Sequence, residues 1–373
     1  MIRILHVLGS RPTGGVGAFL YNYHQYIDKS KVQFDYLMFS DFKSGDYDEK
    51  VKKLGGRVYV LPALKHKRLL LLHDLLIQIF AKHASEYNIV HLHTANLAFL
   101  VLKVAKKYGI EVRIIHAHAT VYSEKYLWKS WRNKVLWYIG KKYATNYCAC
   151  SKAAGEFYYG KEAVNSGLAK IVPNAIDLEK YKFNKETRDK IRKSLNIENK
   201  FVIGHIGRMS PQKNQIFLLK IFADLIRLNN NAVLLIIGDG PLRKQLEEEI
   251  IKLNLVNSVI LLGVRNDVPN FLTAMDVFVL PSLFEGLGIV VMEAQASGLK
   301  CILSDKVPVE TNMGGAEYIS LTTSSIEWAK RILNVKLLEK RENYIKNLEE
   351  NGYSIKLAVK DLEEYYENFN CKG

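Results

Sequence analysis

Short apolar runs alternate with amphipathic stretches over the first half of the chain. Residues 2–8 (IRILHVL) form the first run, and similar runs rich in β-branched or aromatic residues lie at 34–40, 89–93 and 111–118. A segment with helical periodicity follows each of the first three runs. Because strand and helix patterns alternate, they predict a parallel, doubly wound sheet with helices on its faces.

The same alternation starts again beyond residue 175. The strands predicted there span 201–207, 232–238, 259–263, 276–282 and 300–305. A chain of 373 residues is long enough for two ordinary domains, each with its own core. We therefore predict an α/β protein with two Rossmann-like domains, over residues 1–175 and 176–352, that face each other across a cleft. Residues 353–373 are predicted to form a terminal helix that crosses back onto the first domain.

Positive charge is concentrated in the first predicted domain. The net charge of the chain is +15, and residues 1–175 hold 26 Lys and Arg against 12 Asp and Glu. The remaining residues are nearly neutral, with 27 basic and 26 acidic side chains. This asymmetry favours a polyanion or an anionic membrane as a partner of the first domain. Solubility alone is the alternative explanation, and nucleic acid is not among the expected partners.

Two segments of this domain combine cations with apolar faces. They span residues 65–87 and 122–144, and both have the pattern of basic amphipathic helices that lie on an anionic surface. The second contains Trp128, Trp131 and Trp137 with Lys125, Lys129, Arg132 and Lys134. Packing on the sheet with a solvated basic face is the alternative for both segments.

Cysteine usage and the apolar segments indicate a cellular compartment. The four cysteines form no CxxC pair and have no zinc-ligand spacing, which fits a reducing environment. The first residues begin a strand and do not resemble a signal peptide. The longest apolar run, residues 69–80, is too short to span a bilayer. We expect a cytoplasmic protein that binds peripherally to the inner face of the cell membrane.

Two loops that follow predicted strands have the composition of anion-binding sites. TGGVG (13–17) follows the first strand and opens a helix, so its backbone can approach a phosphate, although a plain strand–helix turn is an equal alternative. GRMSPQKN (207–214) places Arg208 and Lys213 five residues apart, which suits a diphosphate. A solvated basic loop is the alternative there. A third turn, GDGP (238–241), is interpreted as structural.

The run LFEGLGIVVMEAQASG, residues 283–298, contains two carboxylates in apolar surroundings. Glu285 is predicted to lie in the loop after a strand and Glu293 in the helix that follows. Both positions suit acceptors for hydroxyl groups, and a carboxylate in apolar surroundings needs such partners. Gly286 and Gly288 leave backbone N–H groups open to a phosphate or a sugar.

Taken in order, these motifs resemble the retaining glycosyltransferases of the GT-B fold, and among them glycosyltransferase family four. The resemblance rests on the glycine loop, HAHAT (116–120), VPNAIDLEKY (172–181), the Arg208/Lys213 loop, GDGP and PSLFEGLGIVVMEAQASG (281–298). It covers nearly the whole chain and is similar in type to the exopolysaccharide and capsule glycosyltransferases of bacteria.

The resemblance implies roles for the residues of the glycine-rich carboxylate run. Glu293 would hold the ribose of the nucleotide. Glu285 would contact the hydroxyls of the donor sugar, with the backbone amides of Gly286, Leu287 and Gly288 beside it.

It implies further roles in both domains. Arg208 and Lys213 would neutralise the diphosphate, and Gly15 would approach the phosphate or the donor sugar from the first domain. The family's functional histidine matches His118 best and His116 second, with a core or capping histidine as the alternative for each.

The segment VRND (264–267) resembles the segment that reads the base, so Arg265 is expected to stack on it. Two departures affect the donor site. The glycine loop continues with Val16 and Gly17 where many relatives carry Ala-Glu, and Gly288 stands where many carry proline. Neither departure removes a charge that the expected chemistry needs.

The implied activity is the transfer of a hexosyl or N-acetylhexosaminyl group, with retention, from a nucleotide sugar that we expect to be a UDP-sugar. The acceptor would be a hydroxyl of a saccharide or of a polyprenyl-diphosphate-linked saccharide. No metal and no other cofactor is expected. The alternatives are a catalytically silent GT-B subunit that binds a membrane or a partner, or another GT-B activity such as a phosphorylase or an epimerase.

A DxD motif at Asp46–Asp48 would suit a metal-dependent transferase of a different fold. Charged residues flank it and it begins a predicted helix. We therefore interpret its carboxylates as favourable charges at a helix N-terminus.

Overall fold

The computed structural model describes residues 1–10, 15–41, 45–63, 69–119, 127–335, 341 and 344–370. It divides the chain into two compact units, one formed by Met1–Ile176 with Gly352–Gly373 and the other by Asp177–Asn351. Each unit is a parallel sheet with helices around it, so the α/β fold with two Rossmann-like domains is confirmed.

The first unit contains a seven-stranded sheet. Its strands are β1 (Ile2–Leu8), β2 (Val32–Phe39), β3 (Val58–Leu61), β4 (Ile89–Leu92), β5 (Val112–Ala117), β6 (Asn146–Ala149) and β7 (Ala169–Ile171). The strand order is β3-β2-β1-β4-β5-β6-β7, and every pair is parallel. Because both faces are covered by helices, β2 is buried at all eight positions.

In the described part of this unit, seven helices connect the strands. They are α1 (Gly15–Tyr26), α2 (Asp46–Lys53), α3 (Leu69–His83), α4 (Ala98–Lys107), α5 (Leu127–Gly140), α6 (Lys152–Tyr159) and α7 (Lys161–Asn165). Asp46 and Asp48 lie in the first turn of α2, which agrees with their interpretation as charges at a helix N-terminus.

The second unit contains a six-stranded sheet. Its strands are β8 (Phe201–Ile206), β9 (Ala232–Ile237), β10 (Val259–Gly263), β11 (Val277–Leu280), β12 (Lys300–Ser304) and β13 (Ala316–Ile319), in the order β10-β9-β8-β11-β12-β13. Its helices are α8 (Leu178–Tyr181), α9 (Lys185–Ser194), α10 (Gln215–Leu228), α11 (Arg243–Lys252), α12 (Val268–Ala274), α13 (Ile289–Ala296), α14 (Ser325–Leu333) and α15 (Ile345–Glu350).

The last helix, α16 (Ile355–Asn370), belongs to the first unit. Ile355, Val359, Leu362 and Tyr366 recur at helical spacing and are buried in the core that also holds β1 and β2. This apolar stripe brings the end of the chain into the first unit, where Tyr366 is fully buried.

Candidate functional site

The carboxyl ends of β8 and β11 bring the cationic loop and the first carboxylate together. These strands are neighbours and parallel, so the loops that follow them leave the sheet at the same edge. Lys213 Nζ donates to Glu285 Oε1 at 2.6 Å, and Ser282 Oγ donates to the same oxygen at 2.6 Å. Both charged side chains are largely buried, so salt screens the pair only weakly.

Hydrogen bonds to the main chain fix the spacing of these two loops. Leu283 N donates to Gln212 O at 2.8 Å, and Asn214 Nδ2 donates to Pro281 O at 3.1 Å. Asn214 has φ +55°, a left-handed conformation that asparagine tolerates better than most residues. The ion pair is therefore held by its loops on both sides.

Arg208 lies at the start of the same loop and is exposed. Its carbonyl oxygen accepts a hydrogen bond from Gln215 Nε2 at 3.0 Å, and that amide nitrogen lies 3.3 Å from His205 Nε2. His205 Nδ1 donates to Val279 O at 2.9 Å, and burial lowers the pKa of His205 to about 4. A neutral, buried His–Gln pair thus fixes the backbone of Arg208, while the residue itself is exposed to solvent.

The glycine turn after β9 packs against this loop. Gly238 has φ +128°, and a Cβ there would lie 2.2 Å from Gly207 O. A Cβ on Gly240 would lie 2.4 Å from Met209 O. Asp239 accepts from the N–H of its neighbour Gly240 at 2.6 Å. The glycines permit the close approach of two backbones, which agrees with the structural interpretation of GDGP.

Glu293 lies on α13 and contacts a residue to which the sequence patterns assigned no role. Tyr181 OH, from α8, donates to Glu293 Oε1 at 2.8 Å. Desolvation by the surrounding protein raises the pKa of Glu293, and the hydrogen bond from Tyr181 acts in the opposite direction. The side chain is half-buried, so this carboxylate keeps acceptor capacity for further hydroxyl groups.

Gly288 precedes α13 and has φ +73°, ψ +50°. Proline is fixed near φ −65° and cannot adopt this conformation, so the glycine here is matched to the local backbone. Gly286 is exposed and Leu287 is buried. The first N–H groups of a helix lack partners within the helix, so this end of α13 favours an anion or a hydroxyl oxygen.

Arg265 lies in the loop between β10 and α12. Its Nε and Nη2 donate to the two carboxylate oxygens of Asp267, both at 2.8 Å. The guanidinium also lies 4.9 Å from the centre of the Phe271 ring. The side chain is thereby held in one orientation, which suits a planar group that stacks.

The first unit holds the two remaining predicted residues. Gly15 is exposed at the first position of α1, and His118 directly follows β5 and is half-buried. Residues 13 and 14 of the glycine loop and Thr120 of HAHAT lie outside the described residues.

His118 belongs to a cluster of five histidines on β1, β4 and β5 and at their carboxyl ends. The members are His6, His91, His93, His116 and His118. The rings of His116 and His118 stack with centres 4.1 Å apart. Burial lowers the pKa of every member, to about 3 for His91 and His118, so the whole cluster is neutral at pH 7. Sequence reasoning found two of these residues. The alternating HLH pattern that begins in β4, which matches HAH in the neighbouring β5, was the signal that could have found others.

Hydrogen bonds connect the cluster in two lines. His6 Nδ1 lies 2.9 Å from His93 Nε2, and His93 Nδ1 lies 2.8 Å from His118 Nε2. In the second line, His91 Nε2 lies 3.2 Å from His116 Nδ1. A cavity of about 210 Å³ borders His93, His116 and His118 and is otherwise lined mostly by small or polar residues.

Two triads in the cluster have the residue types of a transition-metal site. They are His6/His91/His93 and His93/His116/His118, and in each triad one nitrogen per residue lies within 4.8 Å of the others. Two nitrogens bound to one tetrahedral zinc at about 2.0–2.1 Å lie roughly 3.3 Å apart. The contacts of 2.8 and 2.9 Å are shorter, so a hydrogen bond between the two nitrogens fits each distance better than a zinc ion bound to both.

An apolar and basic surface lies on α5 and the short turn that follows it. We call it the α5 surface; it consists of Trp128, Trp131, Lys134, Val135, Tyr138, Ile139 and Lys142. Trp131 is 71% exposed and Trp128 57%, which is unusual for the largest apolar side chain. Trp137, in contrast, is buried in the core. Lys125 and the rest of residues 120–126 lie outside the described residues.

Comparison with known proteins shows the family. Residues 13–180 match the model of "Glycosyltransferase Family 4", and residues 187–354 match that of "Glycosyl transferases group 1". EpsF of Bacillus subtilis (strain 168) is 34% identical over 372 residues, which cover 98% of this chain and 96% of EpsF. The chain belongs to the family 4 glycosyltransferases.

Two further comparisons concern activity and fold. A 295-residue match at 30% identity, over 75% of each chain, is to the Escherichia coli "UDP-Gal:alpha-D-GlcNAc-diphosphoundecaprenol alpha-1,3-galactosyltransferase". The crystal structure of Anabaena HepE in complex with UDP-glucose superposes on this glycosyltransferase with a TM-score of 0.74, at 20% identity and over all of both chains. This likeness confirms the GT-B fold.

In this glycosyltransferase, the second unit joins Lys213 to Glu285 directly and places Gly286–Gly288 next to them. Glu293 lies on α13, the helix that begins directly after Gly288, and it accepts a hydrogen bond from Tyr181. Arg265 is held by its own loop. The roles assigned to these residues from the resemblance remain predictions.

Proposed function

We propose that this glycosyltransferase transfers a hexosyl or N-acetylhexosaminyl group from a UDP-sugar, with retention, to a hydroxyl of a lipid-linked saccharide in bacterial exopolysaccharide or capsule synthesis. The observation that carries the proposal is the buried contact of Lys213 with Glu285 at the carboxyl edge of the second sheet. This edge is where open parallel sheets bind their ligands.

The ion pair supplies both groups that a sugar diphosphate needs. When a diphosphate binds, Lys213 exchanges one of its contacts for a phosphate oxygen, and Glu285 becomes available to accept hydroxyls of the donor sugar. Ser282 continues to hold Glu285 through its hydroxyl. The exposed Arg208 adds a second, forked cation for the same diphosphate.

The nucleotide is proposed to extend toward Glu293 and Arg265. Glu293 accepts the ribose hydroxyls with the oxygen capacity that Tyr181 leaves open. Arg265, which Asp267 and Phe271 hold in place, stacks on the base. The name of the E. coli relative and the ligand of the HepE structure support uridine as that base.

The chemistry is proposed to be electrostatic. Arg208, Lys213 and the N-terminus of α13 stabilise the charge that grows on the leaving diphosphate. The leaving phosphate oxygen accepts the proton of the acceptor hydroxyl on the same face of the sugar, which retains the configuration. Glu285 then orients the donor and stabilises positive charge, and its pairing with Lys213 disfavours a covalent role. Gly15 and His118 remain proposed donor contacts from the first unit.

Since these cations can neutralise the diphosphate, the transfer is proposed to need no metal. Activity should survive dialysis against EDTA and should not rise when Mg²⁺ or Mn²⁺ is added back. A requirement for either ion would contradict this part of the proposal.

The acceptor is proposed to lie at the inner face of the cell membrane, on a polyprenyl diphosphate. The E. coli relative is named for an acceptor on diphosphoundecaprenol. The α5 surface offers interfacial aromatic side chains beside lysines, a combination suited to anionic lipid. Among the described helices, none reaches the length and hydropathy that a membrane span requires.

The donor is tested with a thermal-shift panel of UDP-, GDP- and ADP-sugars, followed by slow nucleotide release from the sugar that shifts the melting temperature. We expect UDP release that is lost in Lys213→Met and kept in Lys244→Met, an exposed lysine on α11. Anomeric NMR of the product from an α-linked donor tests retention. A protein that binds no nucleotide sugar would instead be the silent subunit.

Membrane binding is tested by sedimentation with vesicles that contain phosphatidylglycerol. One variant replaces Lys125, Lys129, Arg132 and Lys134 by glutamine, and the control replaces Lys103, Lys106, Lys107 and Lys152 on other helices. We expect salt-sensitive binding that the first variant weakens by about fivefold per charge and the control much less. Salt-insensitive binding, or none, would contradict the proposal.

A further inference from the structure

The three histidines His6, His93 and His118 form one hydrogen-bonded line. The two contacts, at 2.9 and 2.8 Å, join ring nitrogens, so each must contain one proton. Because the rings are buried and their pKa values lie below the ordinary range, none of the three carries a second proton at neutral pH. The three neutral rings carry three protons in total, so the two hydrogen bonds can run in only two ways. Both run from His118 toward His6, or both run from His6 toward His118.

The end of the line decides between these directions. If the protons point from His118 toward His6, His6 Nε2 carries a hydrogen. If they point from His6 toward His118, His6 Nε2 is a lone pair. This nitrogen is buried and has no hydrogen-bond partner among the residues that the structure describes. A buried N–H without a partner is rarer in proteins than an under-satisfied acceptor, which favours the second direction.

We infer that His93 is a positioning residue that fixes His118 as the Nδ1–H tautomer by donating a hydrogen bond to its Nε2. His118 therefore meets a ligand with Nδ1, as a hydrogen-bond donor. An isolated histidine prefers the opposite tautomer, so the geometry of the line imposes an otherwise minor form. The inference rests on the proposed function only for its effect on rate, since the tautomer exists without substrate.

This assignment restricts what His118 does in the reaction. A neutral imidazole whose lone pair is occupied by His93 does not take a proton from the acceptor hydroxyl. It instead donates to an oxygen of the donor sugar or phosphate. That role is compatible with a leaving phosphate that serves as the base.

The surrounding rings preserve this arrangement. Phe19 lies 5.4 Å from the ring of His118 and 6.1 Å from that of His93, measured between ring centres. His116 stacks on His118 at 4.1 Å. These ring contacts limit how far His93 and His118 can rotate, which helps to keep their facing nitrogens within hydrogen-bond distance.

The first test reads the tautomer directly. The full chain is labelled with ¹⁵N-histidine, and long-range ¹H–¹⁵N NMR at pH 7.5 distinguishes protonated from lone-pair nitrogens. His118→Gln identifies the signal by its disappearance. We expect a protonated Nδ1 and a lone-pair Nε2 on His118, whereas the reverse pattern would overturn the inference. Binding of one Zn²⁺ per chain that shifts these signals would also overturn it, because the metal would replace the shared protons.

The second test separates positioning from packing. His93→Phe keeps a planar ring without hydrogen bonds, and His93→Gln keeps one donor and one acceptor. We expect His93→Phe to return His118 to the Nε2–H form and to lower kcat on the order of tenfold with a smaller change in KM, and His93→Gln to restore most of the rate. Equal losses in both variants with an unchanged His118 spectrum would overturn the inference.

If the protein showed no glycosyl transfer with any donor, the proposed function would fail while the NMR result on His118 would still stand. The two ideas therefore fail by different measurements.

Discussion

The two units of the molecule present opposite kinds of polar site. In the second unit, a cation and a carboxylate form an ion pair at the sheet edge, where Lys213 donates a hydrogen bond to Glu285. In the first unit, the polar groups at the sheet edge are neutral imidazoles that contact one another. A charged site attracts and stabilises a diphosphate, whereas a neutral hydrogen-bonded site orients groups without adding charge. In the proposed reaction, the second unit would therefore stabilise the charge on the diphosphate, and the first unit would orient groups of the donor.

The largest expected effect comes from removing the cation of the charged site. Lys213→Met leaves Glu285 in a largely buried place without its charged partner and takes one cation from the diphosphate. We expect kcat to fall by about 10²–10³-fold, as when one preorganised electrostatic contact is lost. Steady-state kinetics with the preferred donor would measure this.

The double variant Lys213→Met/Glu285→Gln serves as the control for stability. It removes both charges, so the unpaired carboxylate no longer destabilises the fold. We expect thermal stability to recover while activity does not. Recovery of activity as well would show that the pair is only structural.

Acid should unfold the first unit before the second. The six cluster and core histidines His6, His24, His91, His93, His116 and His118 have lowered pKa values in the first unit, against His205 in the second. Below pH 6.5 these histidines bind protons in the unfolded chain but stay neutral in the folded one, so the free energy of unfolding falls as pH falls. Each such histidine contributes roughly 1.4 kcal/mol per pH unit until its folded pKa is reached.

Tryptophan fluorescence can report on each unit separately. Trp328 is buried in the second unit and Trp137 in the first. Trp328→Phe leaves reporters in the first unit, and replacing Trp128, Trp131 and Trp137 leaves one in the second. Between pH 7 and 4 we expect the first-unit signal to change first. Coincident transitions would weaken the contrast between the two units.

A smaller effect is expected at Glu293. Glu293→Gln removes the charge that is proposed to accept the ribose hydroxyls, so we expect UDP affinity to fall about tenfold by calorimetry. Because desolvation raises the pKa of this carboxyl, its ionised form destabilises the fold at neutral pH, and the variant should melt at a higher temperature. The stabilising contribution of the protonated form is lost as pH rises through the folded pKa.

Tyr181→Phe is the matched control for that variant. It removes the hydroxyl that holds Glu293 but keeps the ring and the charge. We expect an intermediate loss of UDP affinity. Unchanged UDP affinity in Glu293→Gln would remove the ribose role from this residue.

The smallest effect is expected at Arg265, which is exposed and already paired with Asp267. Arg265→Ala should raise KM for the donor by a few fold, since a stacking contact at an exposed site contributes about 0.5–1 kcal/mol. Arg265→Lys should not restore KM, because an ammonium lacks the planar fork. An unchanged KM with a lower melting temperature would show that Arg265 stabilises its loop and does not contact the donor.

The sequence predicted the long elements better than the short ones. Its apolar runs marked β1, β2, β4, β5 and most strands of the second sheet, because those runs are buried on both faces. Four short strands, β3, β6, β7 and β13, were not singled out. They have three or four residues and lie at or near the sheet edges, where the local pattern is weak.

The local patterns also determined which residues could carry chemistry in the second unit. Arg208, Lys213, Glu285 and Glu293 were identified from residue type and from their place after strands. Parallel strands that are adjacent in the sheet then had to bring their following loops together. Nothing local to position 181 indicated that its hydroxyl would meet Glu293, because α8 and α13 are 112 residues apart at that contact.

By itself, the amino-acid sequence determined the α/β class, the two sheets and the charged residues, because periodicity and composition act locally, and the resemblance of its ordered motifs indicated the family. Tertiary structure alone decided the partners: Lys213 with Glu285, Tyr181 with Glu293, and the five histidines with one another. Tyr366, near the end of the chain, lies 2.8 Å from His91 Nδ1 through its hydroxyl oxygen. Contacts between residues so far apart in sequence exist only once the parallel strands and α16 have packed, since no local propensity encodes them.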